Sequence, residues 1–298
     1  MKLAALDLGS NSFHLLVAKL DGLGHFKKLG SHKEVLRLGS VVREHGQLTD
    51  AAFDAALSCV SRMAAVARDL GAEKLTAVAT SALRDAKNGR ALLDACREKL
   101  GVTVELVSGD EEARLAYLGA RSALSMTTGR VLVADVGGGS VELACGEGLR
   151  CDTVQSLPLG FLRVAQAFPV RDASGARRLA RHVQAECEKA RVELGRCDTL
   201  LLSGGTARAL GKLLGGGIAT ASATQVVRLC EDVARLSPSE LQLAGVEAAR
   251  ATTLATGAAV ISGIISGLGQ WNVRISPRGL REGLLLRELS ARSANRAA

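Results

Sequence analysis

The sequence predicts an α/β chain built from two like halves, and three observations carry that expectation. The stretch ALDLGSNSFHLLVA at 5–18 returns as VLVADVGGGSVELAC at 131–145, each an apolar β-like run, an Asp-x-Gly-x-x-Ser turn and a second β-like run. The matched positions, Asp7 and Asp135, Gly9 and Gly137, Ser12 and Ser140, all lie 128 residues apart. Elsewhere, short apolar strands alternate with segments of helical periodicity. A length of 298 residues suits one large domain or two ordinary ones, and the constant offset decides for two.

Composition narrows the class further. Hydrophobic residues make up 47% of the chain and aromatics only 2%, so the cores must be Leu, Val and Ala, and platforms for stacking nucleic-acid bases are scarce. A net charge of +8 suits a polyanionic partner, although 30 acidic residues dilute it and a plain basic surface is the blander reading. The seven cysteines show no Cys-x-x-Cys and no His at metal spacing, which reads as reduced, mostly buried thiols in a cytoplasmic protein. The start, MKLAALDLGS, is no signal peptide, because Asp7 interrupts a short apolar run. No charge stands between Arg250 and Arg274, yet the run is rich in Thr, Ser and Gly; it reads as a buried core helix and not a membrane span, with Gly263 and Gly267 spaced for close helix packing.

In chain order, the turn at Gly9, Ser10, Asn11 and Ser12 can bring backbone N–H groups and hydroxyls to an oxyanion, although either hairpin alone reads as an ordinary Gly-rich turn. A basic segment from Lys27 to Arg43 follows, readable as a strand edge protected by lysines. Thr49 or Asp50 caps a helix with an apolar face from Phe53 to Ala67 that stops at Gly71. A strand at 75–80 delivers Arg84 just past its end, where a guanidinium can fork onto phosphate oxygens. A helix over 90–100 and a strand over 102–107 lead to Ser108-Gly109-Asp110-Glu111-Glu112. There Ser108 and Glu111 have capping-box spacing, which leaves Glu112 for chemistry on the first turn of a helix. The plainer reading is that all three acids complement the helix dipole. After the second hairpin, with Gly137, Gly138, Gly139 and Ser140 at its tip, helices are expected over 160–168 and 174–194. The strand at 198–202 meets Ser203-Gly204-Gly205-Thr206 at a helix start, an anion-binding arrangement, although strand-to-helix turns also use Gly for purely local reasons. Helices over 224–236 and 238–268, a strand at 273–275 and a last helix complete the chain.

Together these segments resemble the exopolyphosphatase and guanosine pentaphosphate phosphohydrolase (Ppx/GppA) family of the actin, sugar kinase and Hsp70 superfamily. The resemblance rests on DLGSNSFHLLVA at 7–18, ALR at 82–84, SGDEEARLAYLG at 108–119, DVGGGSVEL at 135–143, SGGT at 203–206 and GLREG at 279–283, in order over essentially the whole chain. It implies duplicated actin-like (ribonuclease H-like) domains, each a mixed β-sheet flanked by helices, over 1–121 and 122–298. The active site would lie in the cleft between them, and the last helix, about 279–295, can pack back on the first. The match is expected to be to the short, two-domain form of the family, to which longer relatives append a helical region.

The resemblance also implies roles. Glu112 matches the family's catalytic base, and Arg84 its phosphate-contacting arginine. Gly9 to Ser12 and Gly137 to Ser140 match its two phosphate loops, with Gly205 and Thr206 as further substrate contacts. Asp135 and Glu142 stand where Mg²⁺ is held, and Asp7 occupies the corresponding strand end in the first half. The expected reaction is hydrolysis of a terminal phosphoanhydride, with inorganic polyphosphate favoured over guanosine pentaphosphate because no guanine-stacking residue is evident. Arg274, Arg278 and Arg281 could track the rest of a polyanion. No membrane or specific nucleic-acid partner is expected, and a homodimer is open to it. One departure stands out: many relatives carry Arg-x-Asp where this chain has Arg250-Ala251-Thr252. A non-catalytic sensor of such anions and an ATP-using kinase are the competing readings.

Overall fold

The computed structural model describes residues 1–21, 25–124, 129–215, 220–269 and 272–297. The chain divides into two units, Met1–Leu115 with Leu280–Ala298, and Ala116–Gly279. The division falls within a helix, a little before residue 121, and places the last helix with the first unit.

The first unit runs β1 (Lys2–Leu8), β2 (Ser12–Leu20), β3 (Phe26–Val35), α1 (Leu38–His45), α2 (Asp50–Asp69), β4 (Lys74–Ala79), α3 (Ser81–Asp85), α4 (Gly89–Leu100), β5 (Val104–Leu106) and α5 (Gly109–Arg121). Its sheet has the order β3-β2-β1-β4-β5, antiparallel from β3 to β1 and parallel from β1 to β5. Strand alternation splits β1 between two cores, Ala4, Leu6 and Leu8 on one face and Leu3 and Ala5 on the other. The first face is covered by α2, whose buried stripe of Ala56, Cys59, Val60, Met63, Ala64 and Ala67 has the predicted spacing. Thr49 caps this helix by accepting from the Ala52 N–H at 3.3 Å. Helix α1 starts within the basic segment without a side-chain cap: its N-cap is Arg37, held at φ 53°. The edge strand β3 keeps Lys27 and Lys28 exposed.

The second unit runs β6 (Val131–Val136), β7 (Val141–Glu147), β8 (Arg150–Leu157), α6 (Phe161–Val164), α7 (Ala173–Leu194), β9 (Thr199–Ser203), α8 (Gly204–Leu213), β10 (Thr220–Ser222), α9 (Ala223–Val233), α10 (Pro238–Leu243), α11 (Ala248–Leu268) and β11 (Asn272–Ile275). Its sheet has the order β8-β7-β6-β9-β11-β10. Substituting β6, β7, β8, β9 and β11 for β1 to β5 reproduces the first sheet strand for strand, directions included. The duplication seen in two turns is thus a duplication of whole sheets. Helix α6 is a single turn, shorter than the 160–168 expected. Helix α11 has a mean hydropathy of 1.5 over its most apolar window, enough by length and composition to cross a membrane, but 67% of that window is buried within the protein. Its Leu254, Ile261, Ile264 and Ile265 belong to the main core of this unit.

The last helix, α12 (Leu280–Ala297), packs Leu280, Leu284 and Leu285 against Leu3, Ala5, Leu16 and Ala18 of the first sheet. The reading of seven reduced cysteines needs correction. Cys145 of β7 and Cys197, just ahead of β9, form a disulfide, while the other five cysteines are thiols. A separation of 52 residues gives no local spacing signal for such a pair.

Candidate functional site

In the first unit the predicted residues gather at the C-terminal end of β1. Asp7 is on β1, Gly9, Ser10 and Asn11 form the tip, and Ser12 opens β2. The tip is shaped from behind: the N–H groups of Leu36 and Arg37 bind the Asn11 carbonyl at 3.1 and 2.9 Å, and Gly39 N–H binds that of Ser10 at 2.8 Å. Ser10 Oγ also pairs with Ser81 Oγ at 2.8 Å, which ties the tip to α3, the helix that carries Arg84.

Arg84 and Glu112 meet. Arg84 Nη1 donates to Glu112 Oε2 at 2.7 Å and to the Val107 carbonyl at 2.9 Å. Glu112 is only 8% exposed, so a carboxylate on the first turn of α5 is held in one direction by a cation. The capping-box expectation is half met. Ser108 Oγ accepts from the Glu111 N–H at 3.2 Å, but the Glu111 carboxylate turns to Arg287 of α12, whose Nη1 donates to Oε1 at 2.9 Å. The two adjacent acids thus have different partners, Arg287 for Glu111 and Arg84 for Glu112.

The second unit repeats the first arrangement with different chemistry. Asp135 is the last residue but one of β6, Gly137, Gly138 and Gly139 form the tip, Ser140 precedes β7, and Glu142 is on β7 directly opposite Asp135. The carbonyls of Gly137 and Gly138 are taken by the N–H groups of Phe161, Leu162 and Arg163 at 2.9 to 3.2 Å. Arg163 Nε donates to the Gly139 carbonyl at 2.7 Å. With these carbonyls turned toward α6, the planar peptides turn the N–H groups of Gly138, Gly139 and Ser140 the other way, as an anion cradle requires. Gly160 makes this possible, because a Cβ there would lie 2.3 Å from Gly139 C and Ser140 N.

Gly205 and Thr206 are on the first turn of α8. Gly204, at φ 93°, lets that turn approach β6 so closely that a Cβ would fall 2.8 Å from Asp135 Oδ1. Glu142, 2% exposed, accepts from Ser156 Oγ at 3.0 Å. Asp135 and Glu142 are an all-oxygen pair that suits a hard divalent cation completing its shell with water and phosphate oxygens. Among the described residues no group of three or more His, Cys, Asp or Glu is placed to hold a metal. Asp7 lies in the other unit, opposite His14. Of the basic residues suggested for tracking a polyanion, Arg278 is engaged internally, donating to the Ser122 carbonyl at 2.9 Å.

Arg250, which the sequence marks only by the Asp missing two residues later, has a telling position. It is 8% exposed, its Nη1 is buried without a hydrogen-bond partner, and its guanidinium lies 5.2 Å from the centroid of the Phe161 ring. A Cβ on Gly205 would sit 2.3 Å from its Nη2, so the cation is aimed at the first turn of α8. Burial, with Arg208 nearby, lowers its pKa to about 10. The Thr206 hydroxyl is likewise buried without a partner. The available signal was that Arg250 is the last charge before a long uncharged helix.

Two sheets of one strand order, each with a Gly-Ser tip on its central hairpin, define the actin-like class of two-domain proteins. The Aquifex aeolicus member of the Ppx/GppA protein family, known from a crystal structure, has this architecture, with a TM-score of 0.85, 25% identity and 98% of each chain covered. A crystal structure of an exopolyphosphatase from Cytophaga hutchinsonii gives a TM-score of 0.85 at 24% identity over 98% of each chain, a likeness of fold. In sequence, the Ppx/GppA phosphatase family matches residues 16–292. Exopolyphosphatase 1 of Mycobacterium tuberculosis is 33% identical over 306 aligned positions, covering 98% of this chain and 89% of the relative. The guanosine-5'-triphosphate,3'-diphosphate pyrophosphatase of Vibrio vulnificus is 31% identical over 301 positions, covering 96% of this chain and 59% of that longer relative. The chain belongs to the Ppx/GppA phosphatase family.

Proposed function

We propose that this member of the family is an exopolyphosphatase, releasing orthophosphate from the end of inorganic polyphosphate. As a hydrolase of phosphoanhydrides it must hold an anionic chain, aim water at the terminal phosphorus and offset the charge of the transferring phosphoryl group. The buried Glu112 carboxylate held by Arg84 is the observation that carries this reading. Glu112 takes a proton from the attacking water as the new P–O bond forms and the bridging P–O bond breaks, the leaving chain keeping the bridging oxygen. Arg84 spends its two Nη1 protons on Val107 and Glu112, which leaves its Nε and Nη2 protons to face phosphate oxygens.

In the second unit the N–H groups of the Gly137–Ser140 tip are donors to phosphate oxygens, with Thr206 and Arg250 as further donors; in the first unit the Gly9–Ser12 tip is the matching phosphate loop. Asp135 and Glu142 would hold Mg²⁺, which when bound supplies a positive charge against phosphate oxygens; Asp7 is the matching carboxylate of the first unit. Polyphosphate is preferred to guanosine pentaphosphate because the Phe161 ring, beside the α8 turn, is already faced by Arg250. The test is phosphate release from long-chain polyphosphate and from guanosine pentaphosphate, with Mg²⁺ or EDTA. Glu112→Gln should lose about a hundredfold or more, the scale of a missing general base. A wild-type protein that cleaves neither substrate overturns the reading; faster cleavage of guanosine pentaphosphate reverses the choice of substrate.

A further inference from the structure

The residue after the β5 strand and the residue before α5 make a very short turn, and two arginines grip it. Arg84, from α3, holds its Val107 carbonyl and Glu112. Arg287 reaches it from α12, 176 residues after Glu111 and 182 after Glu105, by a fork: Nη2 donates to Glu105 Oε2 at 2.6 Å, and Nη1 to Glu111 Oε1 at 2.9 Å and Glu105 Oε1 at 3.4 Å. Glu105 belongs to β5 and Glu111 to the first turn of α5, so a single planar guanidinium spans the turn and fixes the angle at which α5 leaves the strand. The next residue along is Glu112.

From this juxtaposition we propose that Arg287 is a positioning residue for the reaction. It clamps Glu105 to Glu111, so that Glu112 presents its carboxylate to water in one orientation. The inference rests on the assignment of Glu112 as base. Arg287 acts on Glu112 through the turn, by way of Glu105 and Glu111. Its three participants are partly exposed, with side chains 32%, 33% and 50% accessible for Arg287, Glu111 and Glu105. Exposed ion pairs of this kind add little to global stability. The clamp therefore matters for geometry: a base displaced by an ångström loses much of its effect, whereas the fold of a sheet anchored by Leu280, Leu284 and Leu285 does not depend on it. Arg287 also offsets the charge of Glu111, the anion next to the base in sequence.

The test is steady-state phosphate release by the full chain, with thermal melting of each variant as a control for folding. Arg287→Gln should lower kcat by about tenfold to a hundredfold, the scale set by small misplacements, while leaving KM and the melting temperature close to wild type. Arg287→Lys, which keeps the charge without the fork, should recover part of kcat. Glu111→Gln should also lower kcat, and combining it with Arg287→Gln should cost no more than the larger single loss, because both break one clamp. Wild-type kcat in Arg287→Gln, or losses that multiply in the double variant, overturns the proposal. Glu112→Gln is measured alongside: if it turns over normally, the base assignment fails and the clamp with it. An inactive Glu112→Gln beside a fully active Arg287→Gln refutes the clamp alone. Should Arg287→Gln melt early, Glu111→Gln, which leaves Arg287 on Glu105, carries the same kcat test.

Discussion

Replacing Gly263 by alanine tests how closely the second unit is packed. Helices α7 and α11 approach through Gly263 and Gly267, one turn apart. A Cβ on Gly263 would lie 2.5 Å from the Ala180 carbonyl oxygen and 2.7 Å from Val183 Cβ; one on Gly267 would lie 2.5 Å from the Gln184 carbonyl oxygen and 2.7 Å from Cys187 Cβ. Two terms oppose each other. Alanine is the better helix former by about 1 kcal/mol, and overpacking a filled core costs about 1–3 kcal/mol. Because the nearest atom is a backbone carbonyl, no rotamer change relieves the contact and α7 must move as a body, which places the cost toward the upper end. The net loss is about 1–2 kcal/mol, equivalent to roughly 2–8 °C in the melting temperature of a unit of this size. Differential scanning calorimetry of Gly263→Ala against wild type measures it. A melting temperature equal to or above wild type would refute the close approach, since the propensity gain would then stand unopposed. The double variant with Gly267→Ala should lose less than the sum of the two, because moving α7 once relieves both contacts.

Two further changes separate stability from binding. Glu288 is buried on α12 and takes hydrogen bonds from Lys74 at 2.7 and 2.8 Å and from Arg292 at 3.0 Å. Burial raises its pKa, but these cations outweigh it and the net shift is below the ordinary carboxylate value of 4.5. A depressed carboxyl pKa stabilises the fold above the unfolded value and loses that contribution as pH falls through the folded one. Glu288→Gln should therefore lower the melting temperature near neutral pH, and the gap from wild type should close below about pH 4.5; a gap independent of pH would refute the ion-pair account. Arg250→Met should weaken substrate binding, seen as a raised KM, while leaving the melting temperature of the unliganded protein unchanged or higher, because an incompletely paired buried cation is replaced by an apolar chain of similar length. A large fall in melting temperature with KM unchanged would show that Arg250 serves the fold.

The sequence revealed those features whose cause is local. A glycine-rich tip between two apolar runs needs no distant partner to be recognised, so the hairpins and their offset were legible, and the shared strand order of the two sheets followed. The stop at Gly71, the cap at Thr49 and the apolar stripe of α2 are likewise written within one or two turns. Helix α1 was not, because it opens on Arg37 in a left-handed conformation fixed by the Asn11 carbonyl. The Cys145–Cys197 bond, the turn of Glu111 toward Arg287 and the aim of Arg250 at the α8 turn all join residues that only the fold brings together. In each case hydropathy and spacing show a competent side chain and withhold its partner.

Divergence between the two copies of the hairpin shows how a duplicated frame can divide its work. The offset that matches Asp7 with Asp135 also matches His14 with Glu142, and in both sheets these are cross-strand partners: Asp7 faces His14 on β2, and Asp135 faces Glu142 on β7. Two carboxylates in direct register repel each other unless a cation or donor lies between them, whereas a carboxylate opposite an imidazole carries no such demand. In the first unit His14 is turned to the tip hydroxyl, with Nε2 2.8 Å from Ser12 Oγ. In the second, Ser156 supports one oxygen of Glu142, and the close approach of Gly204 brings the α8 turn against Asp135. The same backbone thus pairs a carboxylate with an imidazole in one copy and with a second carboxylate in the other. That difference is why the proposed Mg²⁺ is assigned to Asp135 and Glu142 of the second unit. Substituting Glu142→His, which copies the first hairpin into the second, should therefore abolish Mg²⁺-dependent phosphate release without unfolding the unit. Retained activity with the same Mg²⁺ requirement would remove the carboxylate pair from the metal assignment.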